Sequence, residues 1–157
     1  MKILLIQIEK TTDTYLAEGI KIYTERLKNY VSYATETIVM PKNIRQKPFD
    51  EQKKAEALEI QKLIDSSDFL VCLDEHGKQF SSIQFADFLN KRMVSGCKRV
   101  VFLIGGPFGI DKTILDKSSY VLSLSNMTFS HQMIRLFFNE QLYRGFSILK
   151  NEKYHHE

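Results

Sequence analysis

Arg99-Val100-Val101-Phe102-Leu103-Ile104-Gly105-Gly106-Pro107-Phe108-Gly109 is the stretch that places this 157-residue chain among α/β proteins. Its apolar run from Val100 to Ile104 is unbroken, the mark of a strand buried on both faces in a parallel sheet with helices on either side. Three glycines around Pro107 follow at once, so backbone there can approach a ligand closely or take positive φ. The run Phe69-Leu70-Val71-Cys72-Leu73 is a second buried strand of the same kind, and Asp74 to Phe80 reads as the loop after it. Between the two strands, Ser81 with Gln84 three residues later forms a capping box. It opens a helix through Met93 that buries Phe85, Phe88 and Leu89, and Gly96 closes it.

Outward from this pair, periods of two and 3.6 alternate with short breaks and no internal repeat. Lys2 to Ile8 and Val31 to Met40 predict strands. Thr11 to Asn29 predicts a helix with Leu16, Ile20, Tyr23 and Leu27 at helical spacing. Pro41 to Phe49 is polar, basic and holds two of the three prolines, so it predicts a surface loop, with Asp50 capping a helix that runs to Ile64. Asp111 caps a short helix, Tyr120 to Leu124 is the last strand, and Ser125 to Phe129 is a loop. Ser130 to Leu149 is a long apolar helix with Ile134, Phe138 and Leu142 on one face, and a polar tail from Asn151 carries Tyr154, His155 and His156. The expectation is one α/β domain over 1–157, since a chain this long buries about 68–70% of its unfolded surface.

Composition narrows the function classes. The chain is 43% apolar and 26% charged, near the globular average, which excludes disordered and collagen-like chains. No apolar run reaches the roughly 18 residues of a membrane helix, and Gln7, Glu9 and Lys10 cut short the apolar start before any signal-peptide cleavage site. With only Cys72 and Cys97, both in apolar stretches, a cytoplasmic protein with reduced core thiols is expected. The net charge of +3 permits a polyanionic partner, and Lys42, Arg45, Lys47, Lys53 and Lys54 gather its positive side; a solvated face is the plain alternative.

The loops at 74–80, 105–109 and 125–129 follow the carboxyl ends of the three most buried strands, where open α/β sheets place their ligands. Familiar nucleotide signatures fail there. Gly105 to Gly109 is not G-x-G-x-x-G, and Gly77-Lys78 lacks the flanking residues of a P-loop. The four histidines lack metal-ligand spacing with the cysteines, so no metal is expected, and there is no G-x-S-x-G elbow for a nucleophile. The segment Ser125-Asn126-Met127-Thr128-Phe129-Ser130-His131 instead offers backbone N–H and C=O groups and small polar side chains to a ligand. His131 either acts on that ligand or simply bonds the loop. Arg135, four residues on and on the same side of the helix, is either functional or part of a surface pairing with Asn139 or Glu140.

Leu73-Asp74-Glu75-His76-Gly77-Lys78, Phe102 to Gly109, Leu122-Ser123-Leu124-Ser125-Asn126-Met127-Thr128-Phe129-Ser130-His131-Gln132-Met133-Ile134-Arg135 and the ending Tyr154-His155-His156-Glu157 together resemble the RlmH family. These are small SPOUT-class methyltransferases that act on bacterial 23S ribosomal RNA, and the likeness runs through the whole chain. It implies a SPOUT α/β fold, a mostly parallel sheet flanked by helices with a C-terminal trefoil knot, which no periodicity would show and which general threading rules disfavour. It also implies a homodimer that uses S-adenosyl-L-methionine to methylate N3 of a pseudouridine in helix 69 of 23S rRNA, with the assembled 70S ribosome as substrate. Cofactor contacts carried onto this chain fall at Leu73, Gly105, Leu124, Ser125, Asn126, Met127, Thr128 and Phe129. Tyr154 and His155 become substrate-side candidates, because the family's tail lies near the cofactor pocket.

Methyl transfer from a sulfonium is an in-line displacement that needs neither metal nor covalent intermediate, only positioning and a route for the N3 proton. His155 is the first candidate to accept that proton, His131 the second, and Arg135 is expected to contact RNA or shape the pocket. The helix from Ser130 to Leu149 is expected at or near an isologous dimer interface, because its apolar residues exceed one face. Ser130 stands where relatives often carry Pro, Phe108 where many are polar, and His156 where an Arg would hold phosphate. Strand and helix order alone also fit a flavodoxin-like small-molecule binder, and the departures at Phe108 and His156 fit a catalytically inactive ribosome-binding relative.

Overall fold

The computed structural model describes residues 1–155, in which five strands form one wholly parallel sheet. The strands are β1 (Lys2–Ile8), β2 (Ser32–Ile38), β3 (Phe69–Gln79), β4 (Arg99–Ile104) and β5 (Tyr120–Ser123), in the order β2-β1-β4-β3-β5. β4 begins and ends where its apolar run predicts, and Val100 to Leu103 are completely buried because strands cover both edges and helices both faces. The helices are α1 (Thr14–Leu27), α2 (Lys42–Arg45), α3 (Phe49–Gln61), α4 (Ser82–Val94), α5 (Lys112–Leu115) and α6 (Met133–Leu149).

Side chains alternate across a strand, and here the alternation sorts the core into two halves. Ile3, Leu5, Val100 and Phe102 face α1, α4 and α6, meeting Leu27, Phe85, Leu89, Phe138 and Phe146. Leu4, Ile6, Val101 and Leu103 face the other way, onto Ala57 and Ile60 of α3 and Ile114 of α5. α6 packs between α1 and α4, so both of its flanks are engaged.

Local signals hold at several boundaries. Ser81 Oγ accepts from the Gln84 backbone N–H at 3.2 Å, while Gln84 Oε1 accepts from the Ser81 N–H at 2.9 Å, the reciprocal capping box. Asp111 Oδ1 accepts from the Thr113 N–H at 2.8 Å and starts α5. Both cysteines are free; burial pushes the Cys72 thiol up to about 12, far from the range of a reactive thiolate. Among the described residues no helix is long and apolar enough to cross a membrane.

Elsewhere the chain departs from the expected pattern. The proline-flanked segment 41–49 contains the single turn α2. α3 starts behind Pro48, whose φ of -53° presets the helical path. Asp50 lies inside the first turn rather than capping it. Ser130 to Gln132 form a turn ahead of α6, in which Ser130 Oγ accepts from the Met133 N–H at 3.1 Å. The largest departure is β3, which continues through the expected loop as far as Gln79. After a register break between Leu73 and Lys78 its second limb pairs Lys78 with Leu122 and Gln79 with Ser123 of β5. Gly77 makes this crossing possible, since a Cβ there would stand 2.7 Å from the Leu122 carbonyl carbon and 2.8 Å from the Leu122 and Ser123 backbone nitrogens.

Candidate active site

The register break of β3 and the carboxyl ends of β4 and β5 open onto a cavity of about 390 Å³, within the range of small-molecule sites. Its walls are the Leu73–Glu75 arm, the Ile104–Pro107 loop with Gly109 and Ile110, and the segment from Leu122 to the start of α6. Seven of the eight expected cofactor residues line it, all but Asn126, and His131 joins them.

Each wall has a local cause. A Cβ on Gly105 would meet Ile110 Cγ1 at 2.8 Å and the Gly109 backbone at 2.9 Å, so the loop folds back on itself only with glycine there. Gly109, with φ +82°, completes the turn and donates its N–H to the Gly106 carbonyl at 3.1 Å. In the third wall, Ser123 Oγ donates to the Ser125 carbonyl at 2.9 Å, and Ser125 Oγ accepts from the Met127 N–H at 2.9 Å, so side chains hold a loop with no regular ladder. Thr128 Oγ1 donates to Glu75 Oε2 at 2.8 Å and ties this loop to the β3 arm. Asp74 and Glu75 thus give one side of the cavity two carboxylates, and Asp74 Oδ1 also accepts from the His76 N–H at 2.9 Å.

His131 is half-buried in the cavity wall. Burial, and then the nearby Arg135 charge, hold its imidazole below the usual histidine range, so it is neutral at neutral pH. Arg135 itself is completely buried. It donates to the Ile8 carbonyl and, at 2.9 Å, to Thr11 Oγ1; its Nε has no hydrogen-bond partner among the described residues. Burial pushes the guanidinium down to about 10, with Glu9 acting in the opposite direction. The surface pairing weighed for Arg135 is therefore corrected. Asn139 Nδ2 donates to the Arg135 carbonyl, and Glu140 pairs with Arg144 at 2.6 Å, because position 135 faces the end of β1 instead of solvent.

Two further groups at the site carry no sequence signal of their own. Gln132 Oε1 accepts from the Thr12 N–H at 2.7 Å and the Asp13 N–H at 3.3 Å, tying down the approach to α1, whose Asp13 makes no side-chain cap. Glu56 of α3 is buried under the glycine loop, where a Cβ on Gly106 would lie 3.1 Å from its Oε1. Burial, and then Glu9, push its carboxyl up to about 7. Both residues read as ordinary polar positions along the chain, and only distant contacts single them out.

Tyr154 and His155 do not line this cavity. Tyr154 lies against α1 and α6, with its hydroxyl 3.2 Å from that of Tyr23 and donating to Glu140 Oε1 at 3.0 Å. The Arg144 guanidinium sits over its ring at 4.6 Å, and Arg144 Nη1 lies 3.4 Å from His155 Nδ1. The departure noted at His156 lies outside the described residues. Among the described residues no group of three His, Cys, Asp or Glu side chains could hold a metal ion.

Comparison with known proteins bears on the same residues. A family model described as "Predicted SPOUT methyltransferase" matches residues 1–155. The Ribosomal RNA large subunit methyltransferase H of Flavobacterium psychrophilum is 50% identical over 157 residues, all of both chains. The protein of the same name from Christiangramia forsetii is 48% identical over 156 residues, 99% of each chain. Among solved structures, a probable methylase family protein from Haemophilus influenzae Rd KW20 has a TM-score of 0.55 at 14% identity, covering 99% of this chain and 70% of that one.

Proposed function

This chain belongs to the SPOUT methyltransferase family, and on that premise we propose that it methylates N3 of a pseudouridine in helix 69 of 23S rRNA within the assembled 70S ribosome. The cofactor is S-adenosylmethionine, as in the family. The observation that carries the reading is that β3 at its register break and the loops after β4 and β5 enclose one cavity lined by seven of the eight residues expected to hold that cofactor. The relatives named for methylation of large-subunit ribosomal RNA, alike over their full length, supply the substrate class.

The residues present fit the group. The cavity has the right size, backbone polar groups from two loops, and carboxylates from Asp74 and Glu75 that favour a cationic ligand. Bound there, S-adenosylmethionine supplies an electrophilic methyl on a sulfonium sulfur. Methylation of N3 would require that nitrogen held in line with the methyl group and its proton passed to a base or to water, and those are the tasks left to this chain's own residues. His131, neutral and in the cavity wall, is placed to take that proton. Arg135 acts by position, holding the β1–α1 turn against the first turn of α6.

Tyr154 and His155 stand off this chain's own cavity, so their substrate-side role requires a second copy to present them. A cytoplasmic homodimer with α6 near the interface meets that need, and the same reading assigns the family's trefoil knot to the path from β5 into α6. The experiment is transfer of a labelled methyl group from S-adenosylmethionine to 70S ribosomes from a strain lacking the modification, with 50S subunits alongside and the base mapped. Incorporation at one pseudouridine of helix 69, greater with 70S than with 50S, is expected. Cofactor binding without incorporation would point to a different RNA or an inactive relative, and flavin or nucleotide binding in its place would refute the reading.

A further inference from the structure

Phe49, the first residue of α3, and Phe108, in the glycine loop, stack face to face with ring centroids 3.9 Å apart and planes 22° from parallel. Neither ring serves the core: Phe49 is 61% exposed and Phe108 37%. An aromatic left this open gains little from burial, and among the described residues no other ring is stacked on the pair. The pair also sits at the cavity's edge, since Pro107 and Gly109, on either side of Phe108, both line it.

The surroundings are basic. Lys42, Arg45, Lys47 and Lys54 are exposed or nearly so and Lys53 half-buried, on or beside α2 and α3, against Asp50 and Glu51 in the same stretch. The ion pairs that involve these carboxylates are loose, Lys47 to Glu51 at 3.4 Å and Lys53 to Asp50 at 3.9 Å, so both lysines are available to phosphate. Exposed aromatic faces set among cationic side chains are how proteins hold unpaired nucleotides: every base has a π-face, and the charges follow the backbone.

We infer that the Phe49–Phe108 stack and the basic edge of α2 and α3 form a docking surface for an unpaired RNA nucleotide flanking the modified base. The inference rests on the proposed RNA substrate and extends it to a surface outside the methyl-donor cavity. Charge complementarity selects the occupant, and continuity with the cavity rim selects its place. One nucleotide stacked on this platform would fix the register of the strand while its neighbour enters the cavity.

The test uses Phe49→Ala, Phe108→Ala and Phe49→Trp in the full chain, with 70S ribosomes lacking the methyl group as substrate. Loss of one base-on-aromatic stack raises KM for ribosomes about five-fold or more in both alanine variants. The turnover number and the affinity for S-adenosylmethionine stay within about two-fold, since neither ring lines the cavity. Phe49→Trp keeps a stacking face and restores KM. Because the chain has no tryptophan of its own, the introduced indole is the only one, and an unstructured RNA dodecamer should quench its emission in a salt-dependent way. Unchanged KM in both alanine variants, or no quenching, overturns the inference. Absence of methyl transfer by the unmodified protein would overturn the proposed function, and quenching alone would then judge the surface.

Discussion

Replacing Arg135 with Met removes a buried charge while keeping an unbranched side chain, and the structure sets the size of the effect. The guanidinium loses its hydrogen bonds to the Ile8 carbonyl and Thr11 Oγ1. Bonds from a charged donor contribute about 1.5–3 kcal/mol each, so about 3–6 kcal/mol is at stake. Against this stands the cost of holding the cation out of water: a guanidinium pushed from 12.5 down to about 10 is disfavoured by roughly 3 kcal/mol. The difference leaves Arg135→Met less stable by about 0–3 kcal/mol; the centre of that range, about 1.5 kcal/mol, is roughly 3–6 °C in melting temperature for a domain of this size. Loosening the β1–α1 turn from the start of α6 also frees the wall that holds His131, and an approximately tenfold loss of S-adenosylmethionine affinity is expected, about 1.4 kcal/mol. Thermal melts and calorimetric titration measure the two, and proton NMR of His131 should show its pKa moving up once the neighbouring charge is gone. A melting temperature that stays put or rises would show that the buried charge is a net burden. A fall in stability with cofactor affinity and methyl-transfer rate intact would refute the positioning role.

Glu56 has a folded-state pKa raised to about 7, so its stabilising contribution is full below the ordinary 4.5 and is lost as pH rises through 7. Chemical denaturation should show that Glu56→Gln abolishes a loss of up to roughly 3 kcal/mol between pH 4.5 and about 8. Gly77→Ala drives a Cβ into three backbone atoms of β5 that cannot swing aside, so about 1–3 kcal/mol of stability should disappear together with cofactor affinity as the second limb of β3 lifts. A melt unchanged from that of the parent protein would count against the tight crossing. If His131 accepts the proton, its lowered pKa keeps the neutral form available in mild acid, and the acid limb of kcat/KM should fall below 6.5 and vanish in His131→Gln. An acid limb that survives the substitution assigns the role elsewhere.

Local regularities of the chain were enough for much of this molecule. The apolar run Val100–Ile104 marked a central strand, Ser81 with Gln84 marked a helix start, and the glycines after Ile104 marked a loop pressed close to other backbone. Each depends on neighbours a few residues away, which a linear pattern records. The order of these elements also located the three walls of the cavity, two of them as loops, while the third, expected as a loop over 74–80, is the continuation of β3. What the pattern did not contain was the identity of partners brought together from far along the chain. The polar limb Lys78–Gln79 becomes strand only because β5 arrives beside it and Gly77 lets it pass. Arg135 turns from a surface cation into a buried tether because α6 is pressed between α1 and α4 with Ile8 and Thr11 in reach. Gln132 becomes the anchor of α1, and Glu56 a carboxyl near 7, by the same kind of meeting. Periodicity reports which way a side chain faces; desolvation and hydrogen bonding depend on what it faces, and that is set only when distant segments pack.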